Sequence, residues 1–304
     1  MSLILPRGPR LSRRALLATG SAAAGMLAMP AILRASNGPV FTHGVQSGDA
    51  SASGGMVWTR VDRPSRILLE VSTTESFADA RRVAQLTALP DSDMAVKCLI
   101  DGVAPDQRVF YRFTATDLSD VNSTGQPVTG QFRAAPTQKR DIRFGWSGDT
   151  AGQGFGIPEE GMRTYAAMSG HELDFFIHSG DTIYADGPIK AEQEHAGGVW
   201  KNVVVIPEVE KVAETLDEFR GRYKYNQMDR FVQSFCSEVP FYYQWDDHEV
   251  TNNWSPGKDL SGDDRYTEKS IALLSARAGR AFHEMTPISY TAQEPGRVYR
   301  AIHQ

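Results

Sequence analysis

The 304-residue sequence predicts an α/β protein with an all-β front: a β-sandwich over residues 37–136, then an α/β unit over 137–304. Three observations carry this expectation. Short runs that alternate apolar with polar residues fill Val40 to Pro136, with no convincing long helix among them. After Pro136, apolar strand patterns alternate with helical ones, the order of a βαβ unit. The strands of that second part run into acidic residues at their carboxyl ends, where open α/β sheets place their sites.

Residues 1–36 precede both parts and read as an address. They hold five arginines and no acid. Ser12-Arg13-Arg14-Ala15-Leu16-Leu17 opens an Ala-rich apolar run to Leu33, with small residues near Ala31 and Ala35, the layout of an export signal. Gly20, Gly25 and Pro30 keep that run mild, which fits a cleaved twin-arginine signal better than a membrane anchor. The expectation is export by the twin-arginine translocase, which carries already folded proteins, into the periplasm or out of the cell. With 41% hydrophobic and 23% charged residues the chain is neither disordered nor a multi-span membrane protein. The net charge is −5, and without the five leading arginines the rest is more acidic still, so no nucleic-acid-binding surface is expected. A monomer is expected. The two cysteines, Cys98 in a strand pattern and Cys236 in a helical one, read as buried free thiols rather than a disulfide.

In the sandwich, residues 55–61, 66–71 and 109–115 alternate as half-buried strands do, and Thr129 to Pro136 reads as the last strand and the exit. In the second part, residues 141–147 form a strand that runs into the loop Gly148-Asp149-Thr150-Ala151-Gly152. A helix from Glu159 to Ser169 leads to a second strand, 173–178, followed by Ser179-Gly180-Asp181-Thr182-Ile183-Tyr184. A helical stretch, Leu216 to Glu238, precedes the aromatic strand 241–245, which ends in Asp246-Asp247-His248-Glu249. A helix over Ser270 to Met285 and a strand over 297–303 close the chain. The loop from Ala185 to Val212 has no readable pattern.

A single Asp after a strand is most often a cap or turn residue, and Asp149 alone reads equally well that way. Four polar residues in a row after an aromatic strand are different, because burial there is costly unless a metal or one another satisfies them. Hard cations need several anionic oxygens. Asp149, Asp181 and Asp247 supply carboxylates, and Tyr184 a phenolate suited to ferric iron. Around them the plainer readings hold: His178 points into the sheet, Ser147 and Ser179 are turn residues, Asn252 and Asn253 are loop, Arg220, Arg222 and Lys224 lie on a solvated helix face, and Asp259 to Asp264 is an acidic loop.

Gly148-Asp149, then Gly180-Asp181-Thr182-Ile183-Tyr184, then Trp245-Asp246-Asp247-His248-Glu249-Val250-Thr251-Asn252-Asn253-Trp254 together resemble the PhoD-like alkaline phosphatases, a branch of the calcineurin-like metallophosphoesterases. Phe41-Thr42-His43-Gly44-Val45-Gln46-Ser47-Gly48-Asp49 resembles the start of that family's N-terminal domain. The resemblance implies a fibronectin-III-like sandwich before the first half of a metallophosphoesterase α/β sandwich. It also implies hydrolysis of phosphate mono- or diesters by in-line attack of a metal-bound hydroxide at a binuclear site of Fe3+ and Ca2+. In it Asp181 would bridge the metals, Tyr184 would bind the iron, Asp247 would bind the second metal, and His248 would contact phosphate as the catalytic residue. Asp149 stands where better-known members carry a Cys ligand, so Mn2+ or Zn2+ would also suit the site. The superfamily completes its site with a Gly-Asp-x-His loop, and none follows His248, after which only His283 and His303 remain. The expectation is therefore the front portion of such an enzyme. Two functions stay open: a metal-dependent phosphoesterase, or an inactive exported fragment that binds metal or phosphate at most.

Overall fold

The computed structural model of the chain describes residues 37–289 and 297–302. The expected export signal, residues 1–36, and His303 lie outside them. No described helix is long and apolar enough to cross a membrane.

The front of the chain forms β1 (Phe41–Ser51), β2 (Gly54–Val61), β3 (Ser65–Ser72), β4 (Arg81–Ala88), β5 (Ala95–Asp101), β6 (Arg108–Asp117) and β7 (Val128–Arg133). One antiparallel sheet runs β4-β3-β6-β7, and a second contains β5-β2-β1, the plan of a fibronectin-III-like β-sandwich. Period-two alternation builds it: Val109, Tyr111, Phe113 and Ala115 of β6 point inward against Ile67 and Leu69 of β3 and Val57 of β2.

The back of the chain forms β8 (Phe144–Ser147), α1 (Arg163–Ser169), β9 (Phe175–His178), the hairpin β10 (Glu192–His195) and β11 (Gly198–Lys201), α2 (Leu216–Gln227), α3 (Arg230–Glu238), β12 (Phe241–Tyr243) and α4 (Ile271–Met285). Strands β12, β9 and β8 are parallel neighbours, in register at Phe241 with Phe176 and at Phe144 with Phe175. They continue the sandwich's own sheet. Gly48 of β1 pairs in parallel with Phe241, giving one six-stranded sheet, β5-β2-β1-β12-β9-β8, across both parts. A Cβ at position 48 would lie 2.6 Å from the Phe241 carbonyl oxygen, so only glycine lets these strands meet. Phe176, Phe241 and Phe235 of α3 interlock over this sheet at centroid spacings of 5.0 to 5.6 Å.

Several elements differ from expectation for local reasons. The helical stretch 216–238 is two helices, because the Asp229 carboxylate caps α3 by accepting from the Phe231 and Val232 N–H groups. Helix α1 starts at Arg163 rather than near Glu159, because Gly161, at φ 78°, turns back onto the Pro158 carbonyl. Residues 297–302 form no strand. Instead, Arg300 bonds the Asp49 carboxylate and the Tyr243 carbonyl. Both cysteines are free as expected, but Cys98 is only half-buried.

The basic residues of α2 are not a solvated face. Arg220 and Arg222 are 5% and 3% exposed. Arg220 binds Glu284 and the Asp91 carbonyl, Arg222 binds the Gly187 and Lys211 carbonyls, and Lys224 pairs with Asp93 of the sandwich. A hydrophobic face was not needed to bury this side of α2, because buried guanidinium groups with carboxylate and carbonyl partners pack as well.

Candidate metal centre

The carboxyl ends of β8, β9 and β12 open on one side of the sheet, and backbone bonds stitch their loops together. The Ser179 N–H donates to the Ser147 carbonyl, Asp149 N–H to Gly180, and Thr150 N–H to Asp181, at 2.8, 3.2 and 2.9 Å. Gly180, at φ 103°, lets the second loop pass the third: a Cβ there would sit 2.4 Å from that of Asp246. Asp149 and Asp181 both adopt left-handed backbone, at φ 60° and 51°, a conformation Asp tolerates better than most residues and one that recurs at functional sites.

Glu249 underlies this arrangement. Fully buried, it accepts the Thr182 N–H at 2.7 Å, the Asp246 N–H at 2.9 Å and the Asp181 N–H at 3.2 Å. One carboxylate thereby fixes two strand-end loops. Burial pushes its pKa up to about 7 against the lowering effect of those backbone donors.

Above it, Asp181, Asp247 and His248 each offer one ligand atom, and these atoms all lie within 4.8 Å of one another. Burial raises the Asp181 carboxyl to about 6; the His248 N–H and ring oppose that, while the negative charges of Asp247 and Asp149 add to it. Asp247 accepts the Asn253 N–H. Tyr184 donates its hydroxyl to Asp149, and its ring lies 4.3 Å from the His248 ring. Burial, then the Asp149 bond, then the charges of Asp181 and Asp149 hold Tyr184 well above the usual phenol range, so as it stands it is a neutral donor. The five sequence-predicted residues thus meet in one place as a triad and an adjoining Asp149–Tyr184 pair.

Sequence reasoning missed Asp186. Its carboxylate, 5% exposed, lies 2.6 Å from His248 Nδ1 and accepts the Asn252 N–H at 2.9 Å. Burial lowers the His248 pKa, but the Asp186 bond and charge outweigh it, so the imidazole is held above its ordinary value. The only signal in the sequence was an acid two residues past Tyr184; its partner lies 62 residues on. Asn252 and Asn253 act through backbone N–H groups, on Asp186 and Asp247. His178 is buried in β9 with both ring nitrogens bonded to threonine hydroxyls, at 2.7 Å to Thr150 and 3.2 Å to Thr182. Ser147 donates to the Gly148 carbonyl, and Ser179 accepts from the Trp146 indole.

Carboxylates, a phenol and one imidazole form a hard donor set, free of thiols, suited to di- or trivalent cations. The chain is 26% identical over 269 residues to alkaline phosphatase D of Bacillus subtilis (strain 168), an overlap that takes in 84% of this chain and 42% of that protein. A solved structure of PhoD superposes with a TM-score of 0.67 at 24% identity, covering 86% of this chain and 49% of that one, a likeness of fold. The chain spans about half the length of these relatives. The family model of the PhoD-like phosphatase N-terminal domain matches residues 27–136, and that of the PhoD-like phosphatase itself matches residues 144–304, all three acid-bearing strand ends included. With more than half of its length in the second match, the chain belongs to the PhoD-like phosphatase family.

Proposed function

We propose that the chain works as an exported, metal-dependent phosphoesterase that hydrolyses phosphate mono- or diesters. The convergence of Asp181, Asp247 and His248 within 4.8 Å at the carboxyl ends of the parallel strands β9 and β12 carries this reading. Asp181 and Asp247 would hold metal, with Tyr184 and Asp149 beside them for a second ion, and His248 would face the bound phosphate. The carboxylates of Asp247 and Asp149 near a desolvated Asp181 leave unbalanced negative charge, which a cation would offset. Ferric iron with calcium fits these oxygens, as do manganese and zinc. Bound ions supply Lewis-acid polarisation of the phosphoryl oxygens and lower the pKa of water.

The chain's own residues do the remainder. With Nδ1 engaged by Asp186, His248 has Nε2 left for the site, and the Asp186 carboxylate favours the protonated ring. Such a ring stabilises developing charge on phosphate and can protonate a leaving alkoxide. Glu249 keeps the loops from rearranging as charge develops. Ser147 and Ser179 have their hydroxyls engaged away from any base, which supports direct attack by water over a phosphoserine step.

Hydrolysis of p-nitrophenyl phosphate that chelation abolishes and metal restores is the expected result; turnover indifferent to chelation would sink the metal-dependent reading. Export is supported by Arg13 and Arg14 ahead of the mild apolar run. A folded reporter fused behind residues 1–36 should reach the periplasm, and Arg13→Lys with Arg14→Lys should stop it. Export surviving the double change would contradict the twin-arginine route.

A further inference from the structure

A cavity of about 610 Å³ opens beside Asp149 and Tyr184. Phe155, Met162, Met168 and Trp200 supply apolar and aromatic lining, alongside the charged Glu160 and Arg163. The loop that sequence patterning left unreadable supplies one wall, because residues 192–201 form the β10–β11 hairpin that presents Trp200. Trp200 meets Phe155 edge to face, at 5.8 Å and 77°.

Both rings are held in place. The Trp200 indole N–H donates to the Asn202 side-chain oxygen at 2.9 Å, and the same oxygen accepts the Gly156 N–H at 2.7 Å. The buried Asn202 amide donates to the Gly154 and Lys190 carbonyls, both at 2.7 Å. One asparagine therefore ties the loop carrying Phe155 to the hairpin carrying Trp200. The Ile157 N–H, bonded to the Tyr225 hydroxyl at 2.9 Å, anchors the next residues. Aromatic walls fixed before binding lose little freedom when a flat group enters, and thioethers adapt to ring edges.

We propose that this cavity is the subsite for the organic group of the substrate, and that Trp200 and Phe155 make the site select phosphate esters of aromatic alcohols over those of small polar ones. Asn202 is a positioning residue for both rings. The inference rests on the reading of the adjoining centre as a phosphate-ester site. An ester whose phosphoryl group lies at Asp181, Asp247 and His248 would adjoin the cavity through Tyr184 and Asp149, which belong to its lining, and place its ring in the space that Trp200, Phe155 and the methionines also line.

The test measures binding separately from turnover. Phenylphosphonate and methylphosphonate, neither of which is hydrolysed as an ester, are titrated into the full chain by calorimetry, and the ratio of their affinities is read. Phenylphosphonate should bind more tightly by about three- to tenfold per aromatic contact. That ratio should fall by about that factor in Trp200→Ala and in Phe155→Ala, collapse towards one in the double change, persist in Trp200→Phe, and be untouched by Val199→Ala, an exposed neighbour on the same hairpin. A ratio of one in the wild type, a ratio that survives both alanine changes, or no binding of either phosphonate overturns the proposal. Phenyl phosphate turnover is scored apart. Preferential binding without turnover sinks the phosphoesterase reading and leaves the subsite standing, and turnover with a ratio of one does the reverse.

Discussion

The Asp186 carboxylate accepts from the Asn252 backbone and braces His248, so Asp186→Asn keeps the volume and loses the charge-assisted bond to Nδ1. Residues that orient a site histidine in this way are worth roughly 10–100-fold in activity or metal affinity. Asp186→Asn should therefore lower kcat for p-nitrophenyl phosphate by about that factor with little change in thermal midpoint; an unchanged kcat would remove Asp186 from the machinery. At this scale Asp181, Asp247 and His248 were legible in the sequence, because an acid just past an apolar strand points to the open end of a sheet wherever the strand lies. Asp186 and the role of Glu249 were not. Their meaning lies in partners 62 and 67 or 68 residues away, which only folding brings together. Arg220 and Arg222 misled for the same reason, since helical spacing does not reveal that carbonyls and carboxylates from other segments cover that face.

Glu214, just before α2, joins the start of that helix to the segment preceding α4. Its carboxylate accepts the Thr267 and Glu268 N–H groups at 2.6 Å and the Thr267 hydroxyl at 2.9 Å, and it pairs with Lys211 at 3.0 Å. Burial pushes its pKa up, but these donors overcome that and hold it at about 2 against 4.5 for a free glutamate. A carboxyl with a depressed folded-state pKa stabilises above its unfolded value and loses that stability as pH falls through the folded one. Glu214→Gln should thus cost about 2–3 kcal/mol at neutral pH, a penalty that shrinks between pH 4.5 and 2. Denaturant unfolding across that range checks it, and a pH-independent difference would contradict it. Strands β2, β3, β6, β8 and β9 were readable because alternation or an unbroken apolar run survives in a single segment. The hairpin β10–β11 was not: Glu192 to His195 is polar throughout, and Gly198 to Lys201 adds only Val199 and Trp200, so the ribbon has no apolar period to show.

Across the whole molecule, the sandwich and the α/β unit share one sheet through Gly48 and Phe241, and ion pairs such as Lys224 with Asp93 hold the same seam. The two parts should therefore unfold in a single transition. Gly48→Val places a side chain against the Phe241 carbonyl and should cost about 1–3 kcal/mol or split that transition in two. Calorimetry showing a wild-type-like single peak would mean the strands do not rely on this approach. Residues 37–136 and 137–304 read as separate blocks in the sequence because short alternating strand runs give way after Pro136 to strands alternating with helices; a parallel pairing centred on one glycine leaves no trace in either pattern. The seam also fixes β12 beside β9, and so sets where Asp247 and His248 stand relative to Asp181. The most direct test of the central claim is metal content per chain, measured by mass spectrometry alongside phosphomonoester turnover, for the wild type and Asp181→Asn. The account predicts bound metal and turnover in the wild type, with both falling together in the variant. Turnover that persists in Asp181→Asn, or a wild type that neither binds metal nor hydrolyses the ester, would contradict it.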